Sequence, residues 1–514
     1  MNRETSMVRA GRMAGLGAVL LLAACGGGTI PGSKVPPVSS TAVQVSGATP
    51  WGSACGTAVS GAAGEAYTAG SALQPQVAAQ PGNPSKLFAI WEQDRWNAFG
   101  TRGLLVSSSS DGGAHWSSPA VALPFSNCGP SPSPGSLFDR ASDPSITAGT
   151  IGGQNVLIAT GLAFSAANFQ APGGKSAVLV SRSVDGGVTW SAAYPVISDT
   201  GATGATQIYF NDRDNVAMDP NGTNAYIVWD RLSSNGSLAG TPAMISRSTD
   251  GGVSWGAPQV VYDPGLQNES FNNQILVLPD HSLVDVFTIL YGSFGSESLN
   301  VVRSTDSGVT WTAPGSTAAG TVGTISNVIQ QVPTPNPTGS QPVRDSGGMA
   351  QTAVDPVTGA IAVVWQESSF SGGLRNGIAF SISLDKGVTW SAPLEVNGRT
   401  DVAAFNPSVH FSGAGQVAVT YYDLRDCNNC TTTLNTGVWL RTSLDSGKTW
   451  SADSRVAGPF NLLLAPPTDQ TIGTVGNALF LGDQQGLAWN GNAWVSLITV
   501  TGSSTSLIEA VSTP

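Results

Sequence analysis

Short apolar runs recur along this chain in a fixed order between polar turns. In one stretch a first run at 215–218 is followed by a second at 225–229. A third at 243–247 and a fourth at 259–262 complete the set. Each alternates or is wholly apolar over a few residues and is bounded by Gly, Pro, Asn, Asp or Ser, the signature of a strand. Similar sets start near Gln76, Pro144, Gln274, Met349 and Pro407. The pattern predicts four antiparallel strands per set, repeated along the chain.

A second repeat punctuates the first. Between the third and fourth runs stands Ser-x-Asp-x-Gly-x-(Thr/Ser/His)-Trp, six times over, with its carboxylates at Asp111, Asp185, Asp250, Asp306, Asp385 and Asp445. The Asp-to-Asp intervals run from 56 to 79 residues, enough for four strands of ordinary length and their turns. Ser and Asp side chains hydrogen-bond turn backbone, and Gly supplies a positive φ. The closing Trp offers a large face to pack beneath a neighbouring set. Repetition in every set argues for a stabilising role for these carboxylates. The motif resembles the Asp-box, or BNR, repeat of the sialidase-like superfamily. Resemblance and four-strand repetition together imply an all-β chain, a β-propeller of the sialidase type with six Asp-box hairpins. A propeller also leaves few exposed sheet edges.

After Trp450 come a fourth run at 455–460 and three more, near 486–489, 494–500 and 506–511, without the hairpin motif. A seventh set short of its outer strand is completed by the run at 42–45. Seven four-stranded blades are therefore expected, with six as the alternative, in one domain over 41–514.

Composition fits this picture. Of 514 residues only 11% are charged, whereas Gly (63) and Pro (32) are abundant, as many tight turns require. A net charge of −11 leaves no electrostatic footprint for nucleic acid. Residues 1–25 read as a lipoprotein signal peptide: Arg3, Arg9 and Arg12 precede an apolar run from Met13 to Ala24. That run is shorter than the roughly 20 residues a membrane span needs. Leu22-Ala23-Ala24-Cys25 resembles a bacterial lipobox, which implies lipidation at Cys25. Residues 26–40 read as a flexible tether. The expected address is the bacterial cell envelope, on the outer membrane or cell surface, with the lipid as the sole membrane contact. The four remaining cysteines suit an oxidising compartment, with Cys55–Cys128 and Cys427–Cys430 as the natural disulfides. With three His and no phosphate-cradling Gly loop before a helix, neither metal nor cofactor is implied.

The scarce charges gather at one end of the sets. The hairpin motif marks the turn between third and fourth strands, so groups before first strands and after second strands lie at the opposite end. Before first strands stand Asp139, Arg140 and Asp143; Asp212, Arg213 and Asp214; Arg344 and Asp345. After second strands stand Glu92, Asp94 and Arg95; Asp230 and Arg231; Glu367; Asp423 and Arg425. In sialidases three arginines grip the substrate carboxylate, a Tyr–Glu pair supplies the nucleophile, and an Asp is acid/base, unlike the usual two-carboxylate glycosidases. By resemblance Arg140, Arg213 and Arg344 form the grip, with Asp212 beside them as a binding group. Tyr422 (or Tyr421) is the nucleophile, Glu367 its partner, and Asp143 or Asp212 the acid/base. The Arg-Ile-Pro tripeptide that bears a sialidase's first arginine is absent; the one Ile-Pro is Ile30-Pro31. Two readings follow: a monomeric glycosidase of the sialidase type acting on extracellular glycans, or a non-catalytic propeller that binds a glycan, glycoconjugate or surface protein at this same end.

Overall fold

The computed structural model of the chain describes residues 42–52, 55, 65–130, 133–166, 174–199, 208–220, 222–234, 240–292, 296–339, 341–427, 430–468, 478–503 and 505–514. The signal peptide, Cys25 and the tether lie outside the described residues.

Alternation dictates the architecture. Within the strand Ala225–Ser234, Ala225, Ile227 and Trp229 enter one apolar cluster while Tyr226 and Val228 enter another. A strand buried on both faces reads as a continuous apolar run, and its odd and even residues serve different neighbours. Among the described residues the regular structure is almost wholly β, with three short 3-10 turns. Antiparallel sets of four strands follow one another in chain order, consistent with a propeller. Their first strands are Tyr67–Gln80, Arg140–Ile151, Ile208–Met218, Asn268–Val277, Gln351–Val354, Ala404–Gly413 and Gly486–Trp489. The last set takes its fourth strand from the start of the described chain: Ala42–Gln44 pairs antiparallel with Val511–Glu509.

Each first strand lies against the first strand of the following set, and that of the last set lies against that of the first. Apolar clusters fill the spaces between consecutive sets. One of them joins Leu87, Trp91 and Leu105 to Val495, Leu497 and Ile508, so the first and last sets share a core. Disulfides link Cys55 to Cys128 and Cys427 to Cys430.

The six hairpins are built alike. The Ser Oγ donates to Asp Oδ1 at 2.7–2.9 Å and accepts from the Gly N–H at 2.8–3.0 Å. The same Asp Oδ1 accepts the backbone N–H four residues on, at 2.8–2.9 Å. Each closing Trp enters the cluster shared with the preceding set, as Trp255 does with Val156 and Ile158 and Trp450 with Phe380 and Val364. The hairpins thus staple consecutive sets together.

Their carboxylates titrate low. At Asp445 the Thr449 hydroxyl and N–H lead in lowering the pKa to about 2. At Asp250 and Asp306 some burial opposes the same bonds, and the result is again about 2. A depressed folded pKa gives stability that is present above the unfolded value of about 3.9 and lost as pH falls through the folded one. The melting temperature is therefore expected to drop steeply between pH 4 and pH 2, and Asp250→Asn to flatten that slope. An unchanged slope in the variant would show that this hairpin takes no part.

Candidate active site

Function at the opposite end begins with a backbone irregularity. Five first strands break register with their second strands, between Leu73 and Gln76, Ser142 and Ser145, Asp212 and Asn215, Phe271 and Gln274, and Phe405 and Ser408. At each bulge one residue other than glycine takes a positive φ: Gln74 (56°), Asp143 (50°), Arg213 (51°), Asn272 (58°) and Asn406 (47°). Gly348 (77°) and Gly482 (99°) do so shortly before the other two first strands. Bulges re-aim side chains, and left-handed backbone in residues other than glycine persists only where surrounding structure enforces it.

That enforcement is visible. Acceptors near the ends of second strands hold the bulged backbone of the following set. Glu92 Oε1 takes the Asp143 N–H at 3.2 Å, Asp230 Oδ2 that of Asn272 at 2.8 Å, and Gln366 Oε1 that of Asn406 at 3.1 Å. Two residues past the bulge, a side chain stitches to the next first strand. Ser145 Oγ accepts from Val216 N–H at 3.1 Å, Asn215 Oδ1 from Ile275 N–H at 3.1 Å, and Gln274 Oε1 from Thr352 N–H at 2.9 Å. The polar residues before first strands and after second strands thus serve largely as scaffold for the mouth they surround.

One sector of that mouth opens into a cavity of about 140 Å³. Three guanidiniums and three carboxylates line it, from Arg95, Arg213, Arg344, Asp143, Asp212 and Asp483, with Gln74 and the rings of Phe99, Phe164, Phe210 and Phe480. A short parallel pairing of Arg344 with Phe480 brings distant segments together. Asp483 accepts from Arg344 Nη2 at 2.9 Å and Nε at 3.3 Å, and from Arg213 Nη2 at 3.0 Å. Arg95 and Arg344 each lie over the Phe480 ring, 4.8 and 4.7 Å from its centroid. Gln74 Nε2 donates to Asp143 Oδ1 at 2.9 Å.

The electrostatics separate the carboxyls. Burial, reinforced by the neighbouring Asp143 and Asp483 charges, pushes Asp212 up to about 7 against the pull of Arg213 and Arg344. Burial acts on Asp483 the same way, but the Arg344 and Arg213 charges and hydrogen bonds overcome it and hold the group below its ordinary range. One carboxyl is thus poised to exchange a proton near neutrality while another stays charged. Among the described residues no group of three or more His, Cys, Asp or Glu is arranged to hold a metal ion.

The structure brings Asp143, Asp212, Arg213 and Arg344 to this cavity and does not bring Arg140, Glu367 or Tyr422. Arg140 is fully buried three residues ahead of its bulge. It pairs with Asp139 at 3.0 Å and Glu65 at 3.5 Å, and lies 3.9 Å from the Trp96 ring centroid. Arg95 stands as the third cation instead, held by Glu92 at 3.2 Å and Thr468 Oγ1 at 2.7 Å. Tyr422 is buried between the sixth and seventh sets. Its hydroxyl lies 2.7 Å from Gln485 Oε1 and 2.9 Å from the Thr499 carbonyl oxygen, and burial raises its pKa well above the ordinary value. Tyr421 is likewise engaged, donating to Asp453 at 2.7 Å. Glu367 accepts the Ser369 N–H at 2.9 Å and Trp365 Nε1 at 3.2 Å, which makes it a clamp on its own loop. No Tyr–Glu pair forms from these residues.

Sequence reading missed Asp483, Phe480 and Gln74, and left Arg95 out of the arginine grip. A signal was present. The tripeptides 74–76, 143–145, 213–215, 272–274 and 406–408 all place Pro, Asp or Asn second and Gln, Ser or Asn third. Gly482-Asp483-Gln484 continues that pattern at the last first strand.

No family model and no curated protein matches the chain. In fold it is similar to a protein of unknown function from Dyadobacter fermentans, at 15% identity over 69% of this chain and 90% of that one, with a TM-score of 0.43. It is similar to the Penicillium chrysogenum α-L-arabinanase complexed with arabinobiose, at 14% identity over 74% and 94% of the two chains, with a TM-score of 0.44. Trypanosoma rangeli sialidase shares 14% identity over 72% of this chain and 54% of that one, with a TM-score of 0.40.

Proposed function

We propose that this chain is a seven-bladed Asp-box β-propeller, lipid-anchored through Cys25 on a bacterial cell envelope, that binds and hydrolyses extracellular glycans in the axial pocket. The ring of adjacent first strands and the apolar cluster that joins the first and last sets support the blade count. The observation that carries the activity is the placing of Asp143 and Asp212 in one cavity, where burial pushes Asp212 up to about 7. Two carboxyls on one cavity, one of them able to hold a proton near neutrality, are what glycoside hydrolysis asks for. Asp212 donates its proton to the departing glycosidic oxygen as the bond to the anomeric carbon breaks. The Asp143 carboxylate takes a proton from the water that attacks that carbon. The phenylalanine rings offer apolar faces to a sugar, and the guanidiniums donate to its oxygens.

A panel of fluorogenic glycosides tests this reading on the purified protein. Release of fluorophore from at least one, abolished by Asp212→Asn, is the expected result. Silence across the panel with retained glycan binding would leave recognition alone. The anchor is tested separately: Cys25→Ser is expected to release the protein from the membrane fraction, and its retention there would reject lipidation.

A further inference from the structure

We propose that Asp483 sets the substrate class of the axial pocket: it fills the anion position on Arg213 and Arg344 and so restricts the pocket to uncharged sugars. The inference rests on the reading of this cavity as a glycan site and makes that reading more specific. Arg344 meets both Asp483 oxygens through Nη2 and Nε, at 2.9 and 3.3 Å, while Arg213 Nη2 reaches Oδ2 at 3.0 Å. A forked guanidinium with a second arginine beside it is how a protein receives a ligand carboxylate. Here the carboxylate belongs to the chain itself.

Asp483 is not free to swing aside. Its N–H donates to Gln74 Oε1 at 3.3 Å. The preceding Gly482 has a φ of 99°, and its carbonyl accepts from Asn406 Nδ2 at 2.6 Å. A Cβ at Gly482 would stand 2.6 Å from the Gln74 backbone, so the turn is pressed against the first strand of the first set. A substrate carboxylate would have to displace a tethered, pre-oriented competitor whose effective concentration far exceeds that of any free ligand. It would also meet Asp143 and Asp212. Three carboxyls stand beside the three guanidiniums in the lining. A neutral sugar faces no such barrier, because its hydroxyls donate to the carboxylates and accept from the guanidiniums.

Asp483→Asn keeps the side-chain shape and removes the charge. Binding of glucuronic acid and N-acetylneuraminic acid, with glucose as the neutral counterpart, is measured by titration calorimetry on wild type and variant. The variant is expected to bind the two acids at least about tenfold more tightly than wild type does. Asp483→Glu, which restores the charge, is expected to show no such gain. The proposal is overturned if the folded Asn variant gains no affinity for either acid. A second measurement on the wild-type protein stands even if the variant does not fold: rates on matched fluorogenic glucosides and glucuronides. Faster cleavage of a glucuronide or a sialoside than of neutral glycosides would overturn the proposal and leave hydrolysis intact. The expected binding pattern without turnover of any glycoside would sink hydrolysis and leave the proposal standing.

Discussion

Asp212→Asn is expected to lower kcat on a cleaved glycoside by about 10²–10⁴-fold, the usual worth of a positioned general acid, with little change in KM. Asn keeps the shape and the hydrogen-bonding reach of the side chain but has no proton to give. The pH profile makes the test specific. Burial and the neighbouring carboxylates hold the Asp212 pKa at about 7, and the acid must be protonated to act. The wild-type rate should therefore fall as pH rises through about 7, and the residual rate of the variant should lack that limb. Stability falls with rising pH as well. A group whose folded pKa is raised contributes stability that is fully present below its unfolded value, about 3.9, and is lost as pH rises through the folded one. Wild type should lose stability between about pH 4 and pH 8, while the Asn variant should lose less and exceed wild type at pH 8. A variant both slower and more stable in alkali is hard to obtain from mere damage. An unchanged kcat, or a variant that keeps the limb near pH 7, would remove Asp212 from the acid role.

The two ends of the molecule differ in how much of them sequence discloses, and the reason is the range of the interactions. A hairpin is written locally. Ser248, Asp250 and Gly252 satisfy one another within four residues, so their pattern survives in the string of letters and recurs six times. The pairing of Ala42–Gln44 with Val511–Glu509 was also legible, because a last set with three strand-like runs calls for a fourth. The pocket is written across the whole chain. Arg213 and Arg344 reach Asp483 over 270 and 139 residues, and no local pattern links them. Bulges add a second obstacle. Alternation tells which residues face the same way only while the register holds, and five of the first strands break it at the mouth. Arg140 and Arg213 look equivalent as letters before first strands. Arg213 occupies the bulge and turns into the cavity, while Arg140 precedes its bulge and turns into the protein. Tyr422 shows the same limit in another form. It ends a second strand as an exposed aromatic would, but the last set lies over it and Thr499 and Gln485 hold its hydroxyl.

Arg140→Ala separates the structural arginine from the binding ones, and its expected result is a loss of about 3–5 kcal/mol in unfolding free energy, the usual outcome when one partner of a buried ion pair is removed. The guanidinium is fully buried between the Asp139 and Glu65 carboxylates, whose side chains are themselves nearly inaccessible. Its deletion strands both charges in a site that water does not reach, and it also strips the Trp96 ring of the cation 3.9 Å from its centroid. Arg140→Met in a chain that also carries Glu65→Gln should recover part of the loss, because the methionine refills the space and one stranded charge is gone. Urea unfolding of the three proteins measures this. Fully folded Arg140→Ala protein, held well below its midpoint, should bind and cleave as wild type does, since Arg140 does not line the cavity. Arg213→Ala should show the reverse. Its side chain keeps 12% of its surface exposed at the mouth, and Asp483 keeps Arg344 as a partner, so binding and turnover should suffer more than stability. Equal stability losses in the two variants, or a binding defect in folded Arg140→Ala, would return Arg140 to the ligand site and undo the assignment of Arg95 as the third cation.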